Sequence, residues 1–178
     1  IWLQAMYLIA GSKKGISSNQ LHRVLGVTLK TAWFMSQRIR EAMRSNNLAP
    51  FGGNGGIVEV DETYIGRKKG VAVKAAYHHK MKVLALIDRE TGQSRALVFD
   101  KFSKDDIHPI VMANVSREAR LMTDEATMYR KIGREFSEHM VVRHGVGEYV
   151  RGEAHTNTIE GYFSIFKRGM RGVYQHCA

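Results

Sequence analysis

Hydrophobic positions in the first 48 residues recur at helical spacing. Trp2, Leu3, Met6 and Ile9 form one stripe, Leu21, Val24 and Leu25 a second, and Ala32, Met35, Ile39 and Met43 a third. Three closely spaced helices are predicted. Ser17 with Gln20 has the pattern of a capping box for the second helix, Gly26 closes it, and Thr28 can cap the third. Short hydroxyls in these positions satisfy the free backbone N–H groups at a helix start. The spacing of the second and third helices predicts a helix-turn-helix.

The pattern then changes. Pro50-Phe51-Gly52-Gly53-Asn54-Gly55-Gly56 offers little side chain to bury and much backbone freedom, so residues 49–56 are expected to be a linker. Beyond it come short runs rich in β-branched residues: Ile57 to Val60, Lys82 to Asp88, Ser94 to Phe99 and Leu121 to Thr123. Glu90-Thr91-Gly92-Gln93 supplies a turn that makes the second and third runs an antiparallel hairpin. Helices are expected over residues 103–115, 128–136 and 157–170. The organisation is therefore a small all-α module over 1–48, a Gly-rich linker over 49–56 and an α/β domain over 57–178. Three strands, a helix, a fourth strand and further helices is the order of a ribonuclease-H-like mixed sheet flanked by helices. Several other α/β folds share it, so residues at the element ends must decide.

Composition narrows the partners. In 178 residues, 44% hydrophobic and 25% charged is ordinary globular material, enough for one good core and a small satellite. Lys and Arg outnumber Asp and Glu by 27 to 17, a formal charge of +10, which suits a polyanion such as nucleic acid. The single cysteine, Cys177, can form neither an internal disulfide nor a cysteine-based zinc site, and a reducing, cytoplasmic setting is expected. The apolar opening from Ile1 to Ala10 is too short to cross a bilayer, and no later run is longer, so no membrane role is expected.

Three carboxylates stand at informative places. Asp61 alternates with Val58 and Val60, which puts it on the opposite face of the first strand. Asp124 follows Leu121-Met122-Thr123 at the carboxyl end of the fourth run, where ligands of open α/β sheets bind. Glu160 lies in the first turn of the last helix, and Lys167, seven positions later, falls on nearly the same side. Taken singly, each has an ordinary explanation: a solvated strand face, a turn-forming Asp, a surface pair on an amphipathic helix. Together, three carboxylates repel one another unless cations neutralise them. Mg²⁺ or Mn²⁺, two ions in all, would do so with oxygen ligands and would suit in-line phosphoryl displacement.

Three segments carry a resemblance. Val58-Glu59-Val60-Asp61-Glu62-Thr63-Tyr64-Ile65-Gly66, Met122-Thr123-Asp124-Glu125, and His155-Thr156-Asn157-Thr158-Ile159-Glu160-Gly161-Tyr162-Phe163-Ser164-Ile165-Phe166-Lys167-Arg168-Gly169 resemble the DDE transposases of bacterial insertion sequences, specifically those with an ISXO-like transposase domain. The last segment is the most specific. The resemblance implies a ribonuclease-H-like fold, Asp61, Asp124 and Glu160 as metal-binding catalytic carboxylates, and Lys167, the basic residue two helical turns after the Glu, as a further catalytic residue. It implies cleavage at the element's ends by activated water, then strand transfer by the freed 3′-hydroxyl into target DNA, without a covalent protein intermediate. It further implies double-stranded DNA as partner and a homo-oligomer assembled on it. His155 is expected to position the site, and Asn157 to cap the last helix. Two departures stand against the family pattern. No cysteines precede the helical segment, where relatives carry a zinc-binding module, and the catalytic domain is expected to be truncated at its C-terminal side.

Basic residues supply the remaining candidates. Lys68, Lys69 and Lys74 lie in a basic, Gly-containing stretch after Asp61 suited to phosphate contacts, and Arg168 follows Lys167 in the last motif. In the third helix Lys30, Thr31 and Arg38 are placed to contact DNA if that helix enters a major groove. A solvated loop and a small packing module are the ordinary alternatives. Two other functions share these features: a non-catalytic DNA-binding protein derived from a transposase, and a ribonuclease-H-fold nuclease that cuts without joining.

Overall fold

A computed structural model of the chain describes residues 1–44, 48–73, 77–99, 104–142, 150–151 and 153–174. They form two compact units: Ile1–Asn47 together with Phe163–Ala178, and Leu48–Tyr162. A boundary was expected only near the glycines; the fold adds a second one inside the last helix.

The first unit holds α1 (Trp2–Ala10), α2 (Ser18–Leu25) and α3 (Leu29–Ala42). Ala5, Ile9, Leu21, Ala32, Met35 and Ile39 form its core, the positions that repeat at helical spacing. The capping box at Ser17 and Gln20 is present, Gly26 closes α2 with φ 64°, and Thr28 accepts the N–H of Thr31 at the start of α3. The second half of α6 (Asn157–Gly172) belongs to this unit, where Gly169 lies against the Lys14 backbone and Arg40 stacks over Tyr174, 4.7 Å from the ring centre.

The second unit is built on a five-stranded sheet in the order β3-β2-β1-β4-β5, from β1 (Ile57–Ile65), β2 (Met81–Asp88), β3 (Ser94–Phe99), β4 (Arg120–Thr123) and β5 (Glu138–Val141). The first three strands form an antiparallel meander, while β4 runs parallel to β1 and β5 parallel to β4. This mixed sheet with flanking helices is a ribonuclease-H-like fold. The expected hairpin turn is held by Asp88, whose Oδ1 accepts the N–H groups of Glu90 and Thr91.

Alternation along β1 divides the two faces. Val58 and Val60 join Leu84, Leu86 and Leu121 under α4 (Lys104–Asn114) and α5 (Tyr129–Ile132), which contribute Ile107, Val111, Tyr129 and Ile132. Ile57, Met122 and Val142 pack on the other side with Ala154 of the small hairpin β6 (Val150–Arg151) and β7 (Ala154–His155), which leads into α6.

Three expectations are corrected. Phe51 is not in a free linker: it is buried in the core and its backbone bonds Asn114 and Ser116. The glycines around it permit close approach, since a Cβ on Gly52 would lie 2.5 Å from Ala119 Cβ. The helix expected over 128–136 is a single turn, α5, followed by a 3₁₀ turn over Gly133–Glu135, because the chain must turn there to enter β5. That fifth strand, Glu-His-Met-Val, is too short and mixed in polarity to show as a periodic run. Among the described residues no helix is long and apolar enough to cross a membrane.

Candidate active site

The central strand places the first carboxylate. β1 pairs with β4 in parallel through Val58↔Leu121 and Glu59↔Met122, so two residues further along the same register Asp61 and Asp124 lie level. β1 continues to Ile65 whereas β4 stops at Thr123, so the pair stands where the parallel ladder ends. An open α/β sheet binds ligands at this edge. Asp124 turns the chain there, its Oδ1 accepting the N–H of Ala126 at 3.0 Å. Asp61 Oδ1 accepts the N–H of Glu62 at 2.7 Å.

A third carboxylate completes a tight group. One oxygen each from Asp61, Glu62 and Asp124 lies within 4.8 Å of the others, a spacing at which the three could hold a metal ion. Glu62 is the residue the sequence reading missed. Alternation sends its side chain to the valine face, where the hydroxyl of buried Tyr129 donates to its Oε2 at 2.6 Å. Ending the first strand at Val60 hid that role.

Electrostatics follow from the crowding. Burial, then the neighbouring charge of Glu62, and further Asp124 and Glu160, push the Asp61 carboxyl up to about 8, although the Glu62 N–H opposes the shift. Burial and Asp124 raise Glu62 to about 6, against the lowering effect of the Tyr129 hydrogen bond. Tyr129 in turn is held well above its ordinary range by burial and by Glu62. All the donors of the cluster are carboxylate oxygens, the hard ligands that divalent cations such as Mg²⁺ take.

Glu160 stands beside this group and outside it. It is exposed in the first turn of α6, accepts a hydrogen bond from Thr156 Oγ1 at 3.3 Å, and contributes to the upward shift of Asp61. The turn that carries it is tied to β1. Ile159 donates its backbone N–H to Glu59 Oε2 at 2.8 Å, and Glu59, fully buried, receives Arg89 Nε on its other oxygen at 2.5 Å. Asn157 is already inside the helix, and Thr156 precedes it at the cap position. His155 faces the same network, its Nδ1 2.9 Å from Arg89 Nη2.

Lys167 is on α6 in the portion that belongs to the first unit, its Nζ 6.0 Å from the Phe163 ring centre. Arg168 is exposed there, reaching Ser164 Oγ at 3.5 Å. Lys30, Thr31 and Arg38 are exposed on α3, with Arg38 over the Phe34 ring. Lys68 is half-buried and Lys69 exposed in the turn after β1, while Lys74 lies outside the described residues.

The fold and this edge define the class: a ribonuclease-H-like domain with an acidic cluster where β4 ends beside β1. The chain belongs to the family with an ISXO2-like transposase domain, whose model matches residues 54–178. It is 27% identical over 192 positions to an uncharacterized protein in transposable element ISH50 of Halobacterium salinarum. That match covers 97% of this chain and 63% of the relative, so the chain spans under two thirds of the relative's length. Among solved structures, a chain of the simian T-cell lymphotropic virus intasome in complex with PP2A regulatory subunit B56 gamma is 12% identical, with a TM-score of 0.42 over 83% of this chain and 58% of that one.

Proposed function

We propose that this chain is a DNA transposase of an insertion sequence, which cuts phosphodiester bonds at the element's ends and transfers the freed strand to target DNA. The observation that carries the reading is the gathering of Asp61, Glu62 and Asp124 at one sheet edge with Glu160 beside them, where burial first, and then these neighbouring charges, hold the Asp61 carboxyl up at about 8. Family membership supports it. Asp61, Asp124 and Glu160 are the catalytic, metal-binding carboxylates. Two divalent ions, Mg²⁺ or Mn²⁺, would supply charge neutralisation and activation of the attacking oxygen when bound.

The chain's own residues do the rest. Asp61 on β1 and Asp124 just past the end of β4 bring two carboxyl groups together, and Glu160 brings a third from the helix. Glu62, steadied by Tyr129, adds charge to the same edge. Asp61 must lose its proton before it can act as a ligand. Lys167 is the basic member of the catalytic set, and Lys68, Lys69, Lys74 and Arg168 serve the phosphate backbone. The helices over 1–48 form a helix-turn-helix module, with Lys30, Thr31 and Arg38 of α3 directed at double-stranded DNA. The working form is a homo-oligomer on DNA, in the cytoplasm.

The test is cleavage and joining of DNA carrying the element's terminal repeats, with Mg²⁺ or Mn²⁺. Wild type is expected to yield cut ends and joined products, whereas Asp61→Asn, Asp124→Asn and Glu160→Gln fall to background while still binding the DNA. Activity in these variants equal to wild type would refute the assignment. Cut ends without joined products would identify a nuclease, and DNA binding without either product a non-catalytic derivative.

A further inference from the structure

Glu59 has no part in the carboxylate cluster, yet it is a fully buried acid with two bound oxygens. A buried charge is tolerated only when paired and hydrogen-bonded. Here Oε1 takes Arg89 Nε at 2.5 Å, and Oε2 takes the N–H of Ile159 at 2.8 Å, in the first turn of α6. The remaining Arg89 donors strap down the segment entering that helix: Nη1 binds the Glu153 carbonyl at 2.8 Å and Nη2 the His155 carbonyl at 2.6 Å. His155 Nδ1 lies 3.5 Å from Glu59 Oε1, which closes the ring.

The placement gives this network its meaning. Glu59 is two residues before Asp61 on β1, hence on the same face, roughly 7 Å along the strand. Ile159 is the residue before Glu160. One hydrogen bond therefore joins the strand that carries Asp61 to the helical turn that carries Glu160, within two residues of each. For capping alone a side-chain hydroxyl at the helix start would serve. A paired charge adds a fixed direction, since both carboxylate oxygens and all three guanidinium nitrogens are committed.

We infer that Glu59, oriented by Arg89, is a positioning residue that holds Glu160 in place against Asp61 and thereby sets the affinity of the site for divalent metal. The inference rests on the proposal that Asp61, Asp124 and Glu160 bind that metal. Outer partners of metal ligands commonly contribute about 10- to 100-fold in affinity.

The experiment is Mn²⁺ binding to the metal-stripped protein, read by electron paramagnetic resonance without DNA, for wild type, Glu59→Gln, Arg89→Lys, Glu160→Gln and the Glu59→Gln/Glu160→Gln double variant. Glu59→Gln is expected to weaken binding about tenfold. The double variant is expected to bind no more weakly than Glu160→Gln alone, because Glu59 acts through Glu160. Arg89→Lys keeps the charge beside Glu59 but cannot span both carbonyls, and it is expected to weaken binding similarly, which carries the test should Glu59→Gln not fold. Wild-type affinity in the variants that fold, or losses that add in the double variant, overturn the inference. If wild type binds no Mn²⁺, or Glu160→Gln binds it normally, the metal-site proposal itself fails and takes the inference with it.

Discussion

Asp61 is where the chemistry of single residues is most exposed to experiment. Its carboxyl is raised to about 8 by burial and by Glu62, Asp124 and Glu160, whereas in the unfolded chain it titrates near 3.8. The folded state therefore holds the proton more tightly. That contribution to stability is complete below about 3.8 and is lost as pH rises through about 8. The metal-free protein is expected to melt at progressively lower temperature over this window. Asp61→Asn should remove much of the slope, melting higher than wild type at alkaline pH by about 3 °C per kcal/mol regained. Thermal melts across the window check this, and an unchanged slope in the variant would count against the shift. Asp61 and Asp124 were legible from sequence because each ends a hydrophobic run. Glu62 was not: strand alternation points it away from Asp61, and only the overhang of β1 past β4 lets both faces reach one edge.

At the scale of elements, most helices and strands follow from periodicity and caps, as with α2, bounded by Ser17 and Gly26. The exceptions share a cause. Phe51, α5 and β5 are each fixed by tertiary contacts rather than local pattern: Phe51 by its bonds to Asn114 and Ser116, α5 by Tyr129 and Ile132 in the core, and β5 by pairing with β4. Glycine composition alone reads as looseness, yet Gly52 sits at φ 72° against Ala119 and Val58. Gly52→Ala is accordingly expected to destabilise the protein by about 1–3 kcal/mol, through overpacking on top of left-handed strain. Urea denaturation measures it, and a variant as stable as wild type would restore the linker reading. The tie from Glu59 to α6 was equally hidden, because residues 100 positions apart in sequence show no spacing rule.

For the whole molecule, a formal charge of +10 sets the expected behaviour toward DNA. If about six phosphates are neutralised, double-stranded DNA affinity should drop ~10³-fold between about 50 and 200 mM salt. Fluorescence anisotropy across salt concentrations tests this, and a flat response would argue against DNA as the polyanionic partner. The compact unit around α1 to α3 draws its chain from both ends of the sequence, with Phe163 onward completing it. A unit assembled this way cannot be inherited as a cassette. A single crossover that exchanged the leading helices for those of a relative would separate them from the tail against which Lys14, Gly15 and Arg40 pack, so α3 and the second half of α6 are bound to change together or not at all.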